Sequence, residues 1–293
     1  MFRRLLKLVP AVTTLGVFSP AAGGYPASGR TFAPPPARII SLNPDLTENV
    51  IALGAGDRLA GVSDFCPLPE SPGKVERLGG LQNPGMERIV DLAPDLVLAT
   101  REGNSPETVR RLQDLGIEVS VFDGAKNVRE YFAFLRRLGR ILEREEAAER
   151  QISELAEVIG EVRAGAPSGG RIPVFLQIGH QPLITASRQT LIGEMIELAG
   201  GENIAAGLSP RYPVISREQV LLSDPAVIII AAMGTEARSA VTYWERFPEL
   251  RAVKNQRVFS LDPDTVCRLG PRLEEGLRRI AAFISEPAKE KVR

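Results

Sequence analysis

Two segments of this sequence repeat one another weakly, and the repeat limits the fold more than any single motif does. Glu48-x5-Gly54-x6-Gly61 is matched by Glu194-x5-Gly200-x6-Gly207, each with an apolar helical stretch ahead of its first glycine. Further on, Glu87-x6-Pro94 and the apolar run 96–99 are matched by Glu218-x6-Pro225 and the run 227–231. A duplication on this scale implies two lobes of similar build. The length allows it, since 293 residues leave room for two domains of ~100–150 residues each.

Within each copy, strand and helix patterns alternate. Residues 38–42, 58–62, 96–99 and 118–122 read as short β-branched strands; 46–53, 86–92 and 106–115 have helical spacing and end at glycine or proline. The second copy places strands at 173–178, 227–231 and 258–261. Its helices are expected at 191–198, 219–222 and 273–283, with 244–250 a loop or short helix. This alternation with short connections predicts α/β lobes carrying mostly parallel sheets.

Between the copies the pattern changes. Tyr131, Phe134, Leu135, Leu138 and Ile141 recur at helical spacing, and so do Ala148, Ile152, Leu155, Val158, Ile159 and Val162. No proline interrupts 127–159, so one or two long helices lie here, serving as a surface helix of either lobe or as a bridge between them. The expected division is an N-terminal α/β lobe at 38–126, a long rigid bridging helix at 127–165 and a C-terminal α/β lobe at 171–287. Two lobes joined in this way leave a cleft between them, where ligands tend to bind.

The first thirty residues read as an export signal. Arg3, Arg4 and Lys7 precede a short apolar stretch at 8–18, followed by small residues at Ala21, Ala22 and Ala27. The stretch is far below the ~20 residues of a membrane span, and no cysteine follows it closely to carry a lipid anchor. Residues 31–37, with Pro34, Pro35 and Pro36, form an extended linker. The expected product is a free periplasmic monomer, not inserted in the membrane.

Composition narrows the function. Thirty-six basic residues balance thirty-six acidic ones, which argues against the cationic surface a nucleic-acid binder needs. His180 is the single histidine, and Cys66 and Cys267 are the only cysteines. No zinc, phosphate-loop or nucleophile-elbow motif occurs, and a catalytic triad could draw only on His180. No enzyme and no resident metal or cofactor is expected.

The motifs in order resemble one known family. They are S-L-N-P-D-L-T-E (41–48), G-A-G-D-R-L-A-G-V (54–62), N-P-G-M-E-R-I-V-D-L-A-P-D-L-V-L-A (83–99), R-E-G-N (101–104) and L-G-I-E-V (115–119). The second lobe adds V-F-L-Q-I-G (174–179), A-G-G-E-N-I (199–204), P-V-I-S-R-E-Q-V (213–220) and G-P-R-L (270–273). Across nearly the whole mature length they are similar to the helical-backbone periplasmic binding proteins of ABC importers, in particular the cobalamin-binding branch. Siderophore and haem carriers belong to the same class.

The resemblance implies two lobes on a rigid helix that move little on binding. It implies a corrinoid as transported ligand and a permease dimer with its ATPase as partner. One acidic residue per lobe would dock on the permease, and these map onto Glu87 and Glu218, the pair the repeat also matches. Phe65, Arg101, Tyr212, Asp264 and Arg268 map to ligand contacts, whereas Leu81, Thr100 and Ile178 stand where the cobalamin branch has aromatics.

Three readings of the cysteines stay open. Cys66 and Cys267 are two unpaired thiols, or an interlobe disulfide, or one of them (or His180) contacts the metal of the ligand. Ferric-siderophore or haem carriage, and a sensory module without transport, are the alternatives to a corrinoid carrier.

Overall fold

The computed structural model describes residues 34–68, 75–232 and 234–287. The expected leader at 1–30 and the first part of the linker lie outside the described residues.

The N-terminal lobe starts with β1 (Ile39–Ser41) and α1 (Pro44–Ala52). The Asn43 side chain caps α1 by accepting from the Asp45 amide at 3.0 Å, and Pro44 supplies the preset φ of a first helical residue. Gly54 then takes φ +75°, a left-handed value that suits glycine and ends the helix. There follow β2 (Leu59–Val62), β3 (Glu76–Arg77), α2 (Met86–Asp91), β4 (Leu96–Thr100), α3 (Pro106–Asp114) and β5 (Val119–Phe122). The five strands are all parallel, in the order β3-β2-β1-β4-β5.

The bridging segment is two helices, α4 (Val128–Leu142) and α5 (Glu145–Ala164). Glu143 breaks the run with φ +51°, and the Arg144 amide donates back to the Gly139 carbonyl at 2.8 Å. A Cβ on Gly139 would lie 2.8 Å from that of Ala148, so this glycine permits the two helices to close on each other.

The C-terminal lobe contains β6 (Ile172–Gln177), α6 (Leu191–Leu198), β7 (Gly201–Asn203), α7 (Arg217–Ser223) and β8 (Val227–Ile230). It ends with α8 (Gly234–Glu245), α9 (Arg251–Lys254), β9 (Val258–Ser260) and α10 (Leu273–Ser285). Its four strands are parallel in the order β7-β6-β8-β9. That order reproduces β2-β1-β4-β5 of the first lobe. Hence α1 corresponds to α6 and α2 to α7, and Glu87 and Glu218 each fall in the first turn of equivalent helices.

Strand alternation divides the interior into three layers. Ile39, Leu96, Leu98, Val174, Leu176, Val227 and Ile229 face a central core that also takes the apolar faces of α4, α5, α6 and α10. Their neighbours in the strands face outward. Ile40, Val97, Ala99, Val119 and Val121 pack under the outer helices of the first lobe, and Phe175, Ile228 and Ile230 under those of the second. The central core therefore runs through both lobes and the bridge. α8 falls outside the expected elements. Its helix-poor residues Thr242 and Tyr243 hide a segment that is helical because Ala237, Ala240 and Trp244 are buried against Phe175.

No helix among the described residues is long and apolar enough to cross a membrane.

Candidate functional site: the interlobe cleft

In parallel sheets, strands end together at one edge, and ligands gather there. The C-terminal edges of the two sheets contribute the walls of one cleft. From the first lobe come Asn43 after β1, Thr100 and Glu102 at β4, and Asp123 after β5. From the second come Arg211, Tyr212, Val266, Cys267 and Leu269. This cavity measures about 190 Å³. A larger groove of about 530 Å³ opens beside it on the first lobe and shares Glu102, Asp123, Gly124, Ala125 and Phe134 with it.

Fixed polar contacts shape the first-lobe wall. The Asn43 amide donates to Thr100 Oγ1 at 2.9 Å, and the Thr100 amide donates to Asn104 Oδ1 at 2.8 Å. Both Glu102 carboxylate oxygens accept from the Gly124 amide, at 3.2 and 3.1 Å. Arg211 reaches across from the second lobe to within 3.9 Å of Glu102 Oε1. Arg101 pairs with Asp123 on the rim.

Asp45 stands in the cleft wall at the start of α1. Burial pushes its carboxyl up to about 6, against the lowering effects of the Leu269 amide and Arg268; the nearby Glu48 and Glu102 charges raise it further. Cys267 is exposed to water in the cleft, yet the walls around it desolvate its thiol and, with Asp264, push it up to about 11.

The residues expected at the site separate into groups. Arg101, Tyr212 and Cys267 line the cavities, and Tyr212 is 49% exposed. Phe65 follows β2 at the same sheet edge and is 61% exposed, though it is not part of either cavity wall.

Asp264 and Arg268 pair at 3.1 Å, and Arg268 also holds Glu48 of the first lobe at 3.1 Å. Arg272 adds contacts to Glu48 at 3.4 Å and Asp264 at 3.3 Å. The charges expected for the ligand are thus engaged in a network that ties the lobes. Asn49 supports it by donating to the Leu269 carbonyl at 2.6 Å.

Two placements correct the expectation. Cys66 is 2% exposed and points into the first-lobe interior. Thr47 donates to its sulfur at 3.0 Å and Ser63 lies 3.1 Å away, so it cannot meet the cleft or Cys267 there. Both cysteines are free thiols. His180 belongs to an aromatic group with Tyr243, at 5.0 Å between ring centres, and its Nδ1 lies 3.3 Å from the Gln177 amide; neither cavity wall includes it.

Glu87 and Glu218 are exposed and belong to neither cavity wall. Glu218 pairs with Arg217 at 2.7 Å, and its own backbone N–H together with that guanidinium holds its carboxyl below the usual range. The residues that sequence reasoning passed over are Asp45, Glu102 and Asp123. The motif at 41–48 contained Asp45, but nothing in its spacing marks a carboxylate that the second lobe will cover.

The model of the periplasmic binding protein family matches residues 39–265. A vitamin B12-binding protein of Pectobacterium carotovorum is 36% identical over 252 residues, covering 85% of this chain and 89% of its own. The solved periplasmic vitamin B12 binding protein of Vibrio cholerae is 30% identical, with a TM-score of 0.71 over 85% of this chain and 97% of its own. A haem-binding protein of Roseiflexus sp. RS-1 superposes with a TM-score of 0.74 at 25% identity, over 86% of this chain and 99% of its own. Two matching parallel-sheet lobes joined by a helix pair agree with these matches, and the chain belongs to the periplasmic binding protein family.

Proposed function

We propose that the chain is the substrate-binding component of an ABC importer, and that it captures cobalamin or a related corrinoid in the interlobe cleft. The supporting observation is a cleft faced from opposite lobes, with exposed Tyr212 in its wall and exposed Phe65 after β2, in a chain 36% identical to a vitamin B12-binding protein. Flat macrocycles lie well against such rings, each offset stack contributing about 0.5–1.5 kcal/mol beyond area burial. Arg101 lines the groove that adjoins the cleft. Arg268 acts on the ligand only if it is drawn away from Glu48, and Asp264 only if it is drawn away from Arg268 and Arg272.

Residues 1–30 direct export, the mature chain is a periplasmic monomer, and no catalysis is involved. Glu87 and Glu218 dock on a permease dimer, because two carboxylates at equivalent lobe positions suit a partner with two-fold symmetry.

Titration of the purified protein with cobalamin, followed by absorbance, tests the ligand. Saturable binding is expected, and Tyr212→Ala should weaken it by roughly two- to tenfold. Binding of haem or a ferric siderophore with no response to any corrinoid would overturn the reading in favour of the other carriers of this fold. Charge reversal at both Glu87 and Glu218 should abolish uptake and leave cobalamin affinity unchanged; undiminished uptake would remove the docking assignment.

A further inference from the structure

The wall of the interlobe cleft is unevenly charged. Among the described residues it carries the carboxylates of Asp45, Glu102 and Asp123 against the single guanidinium of Arg211. Arg211 faces Glu102 at 3.9 Å, and Asp123 pairs with Arg101 on the rim. Behind the wall, Arg268 and Arg272 are shared among Glu48, Asp262 and Asp264. Each of these cations already faces a carboxylate, and Asp45 is left over. No cation lies at ion-pair distance from it among the described residues; Arg268, which lowers its carboxyl from further off, is held by Glu48 and Asp264. Cys267 in the same wall, its thiol pushed up to about 11, is uncharged at neutral pH.

Backbone fixes Asp45 in place of a counter-ion. It stands in the first turn of α1, which Asn43 caps, and it accepts from the Leu269 amide of the other lobe. A carboxylate has more acceptor sites than one N–H fills, so it can still take a donor from the cavity. A second anion is another matter. Two carboxylates share a poorly solvated site only when one of them takes up a proton, and Asp45, pushed up to about 6 by burial, is ionised at pH 7.5.

The cavity of about 190 Å³ is smaller than the ~300–1,000 Å³ usual for sites of drug-sized ligands, so a macrocycle enters it by an edge. The groups on the ligand's rim are then what this wall meets. Corrinoids are rimmed with carboxamides, whereas haem carries carboxylates. Both present flat faces, so a ring contact with Tyr212 does not separate them. We infer that Asp45 determines specificity, accepting from carboxamide N–H groups on a macrocycle's rim and excluding macrocycles rimmed with carboxylates. The inference rests on the corrinoid reading and adds to it the chemistry by which the cleft refuses other macrocycles, an unfavourable contact built against the wrong ligand.

The test sets cobinamide, rimmed with carboxamides, against cobyrinic acid, the same macrocycle with carboxylates in their place. Wild type, Asp45→Asn and Asp45→Glu are titrated with each at pH 7.5 as full-length purified protein, followed by absorbance. Wild type should bind cobyrinic acid at least about tenfold more weakly than cobinamide. Asp45→Asn should tighten cobyrinic acid by about five- to tenfold and bind cobinamide no more tightly than wild type does. Asp45→Glu, which keeps the charge, should leave cobyrinic acid as weak as in wild type. A gain of affinity for one ligand alone does not arise from a damaged fold. Equal affinity of wild type for the two ligands, no gain in Asp45→Asn, or the same gain in Asp45→Glu would overturn the inference and leave the corrinoid reading in place. If wild type binds neither corrinoid, the corrinoid reading falls and the inference falls with it.

Discussion

Asp45 shows how a single carboxyl in a cleft wall makes stability depend on pH. Its folded-state value of about 6 exceeds the ~3.9 of an unfolded aspartate, so between those values the folded chain holds a proton that the unfolded chain releases. Its contribution is fully present below pH ~4 and is lost as the pH rises through ~6. Asp45→Asn keeps the shape and removes the charge. It should stabilise the protein by up to about 3 kcal/mol at pH 7.5 and by almost nothing at pH 4. Urea unfolding at the two values checks this, and an equal gain at both would show that the charge is not the cause. At this scale the site was legible in part. Tyr212 and Arg101 could be placed from motifs, because they sit beside recognisable strand-end sequences. Asp45, Glu102 and Asp123 could not, because their role comes from a facing lobe more than 80 positions away in the chain. Cys66 misled for the converse reason. Its neighbour Phe65 is exposed, but alternation along the chain turns the sulfur inward to Thr47 and Ser63.

Helices and strands were more legible than side-chain positions. Caps, glycine stops and β-branched runs located α1, α3, α6 and the inner strands, since those signals are local. α8 escaped because packing overrides its weak propensity, and β3 and β7 because two or three residues give no period to read. The bridge is the element with the tightest fit. Gly139→Ala would place a methyl 2.8 Å from that of Ala148, and should cost about 1–3 kcal/mol of stability as α4 and α5 are forced apart. Pairing it with Ala148→Gly should restore most of the loss. Chemical denaturation of the two single variants and the double variant measures the coupling, and strictly additive losses would show that the two side chains do not meet.

Across the whole molecule, two features bind the lobes: the central core and the Glu48–Arg268–Arg272–Asp264 network. Glu48 is only 9% exposed, so Glu48→Ala leaves two guanidinium groups short of a partner in a covered position. It should destabilise the protein by about 1–3 kcal/mol. The loss should appear as a shift of one calorimetric transition. Two separate transitions, with only the second lobe affected, would mean that the lobes melt independently. The family resemblance anticipated a stiff connection between the lobes, but its basis in an interlobe ion network was hidden in residues expected to serve the ligand.

The kinship of the two sheets suggests a molecule that could be divided, yet the shared interior argues otherwise. The segment between α5 and β6 is the obvious place to cut, and a fragment ending there would leave bare the face of α5 that packs on α6 and α10. The matching β7-β6-β8-β9 half would in turn expose Val174, Leu176, Val227 and Ile229. Two lobes of like build thus fold as one unit, and truncated forms are expected to aggregate rather than to serve as minimal binding modules.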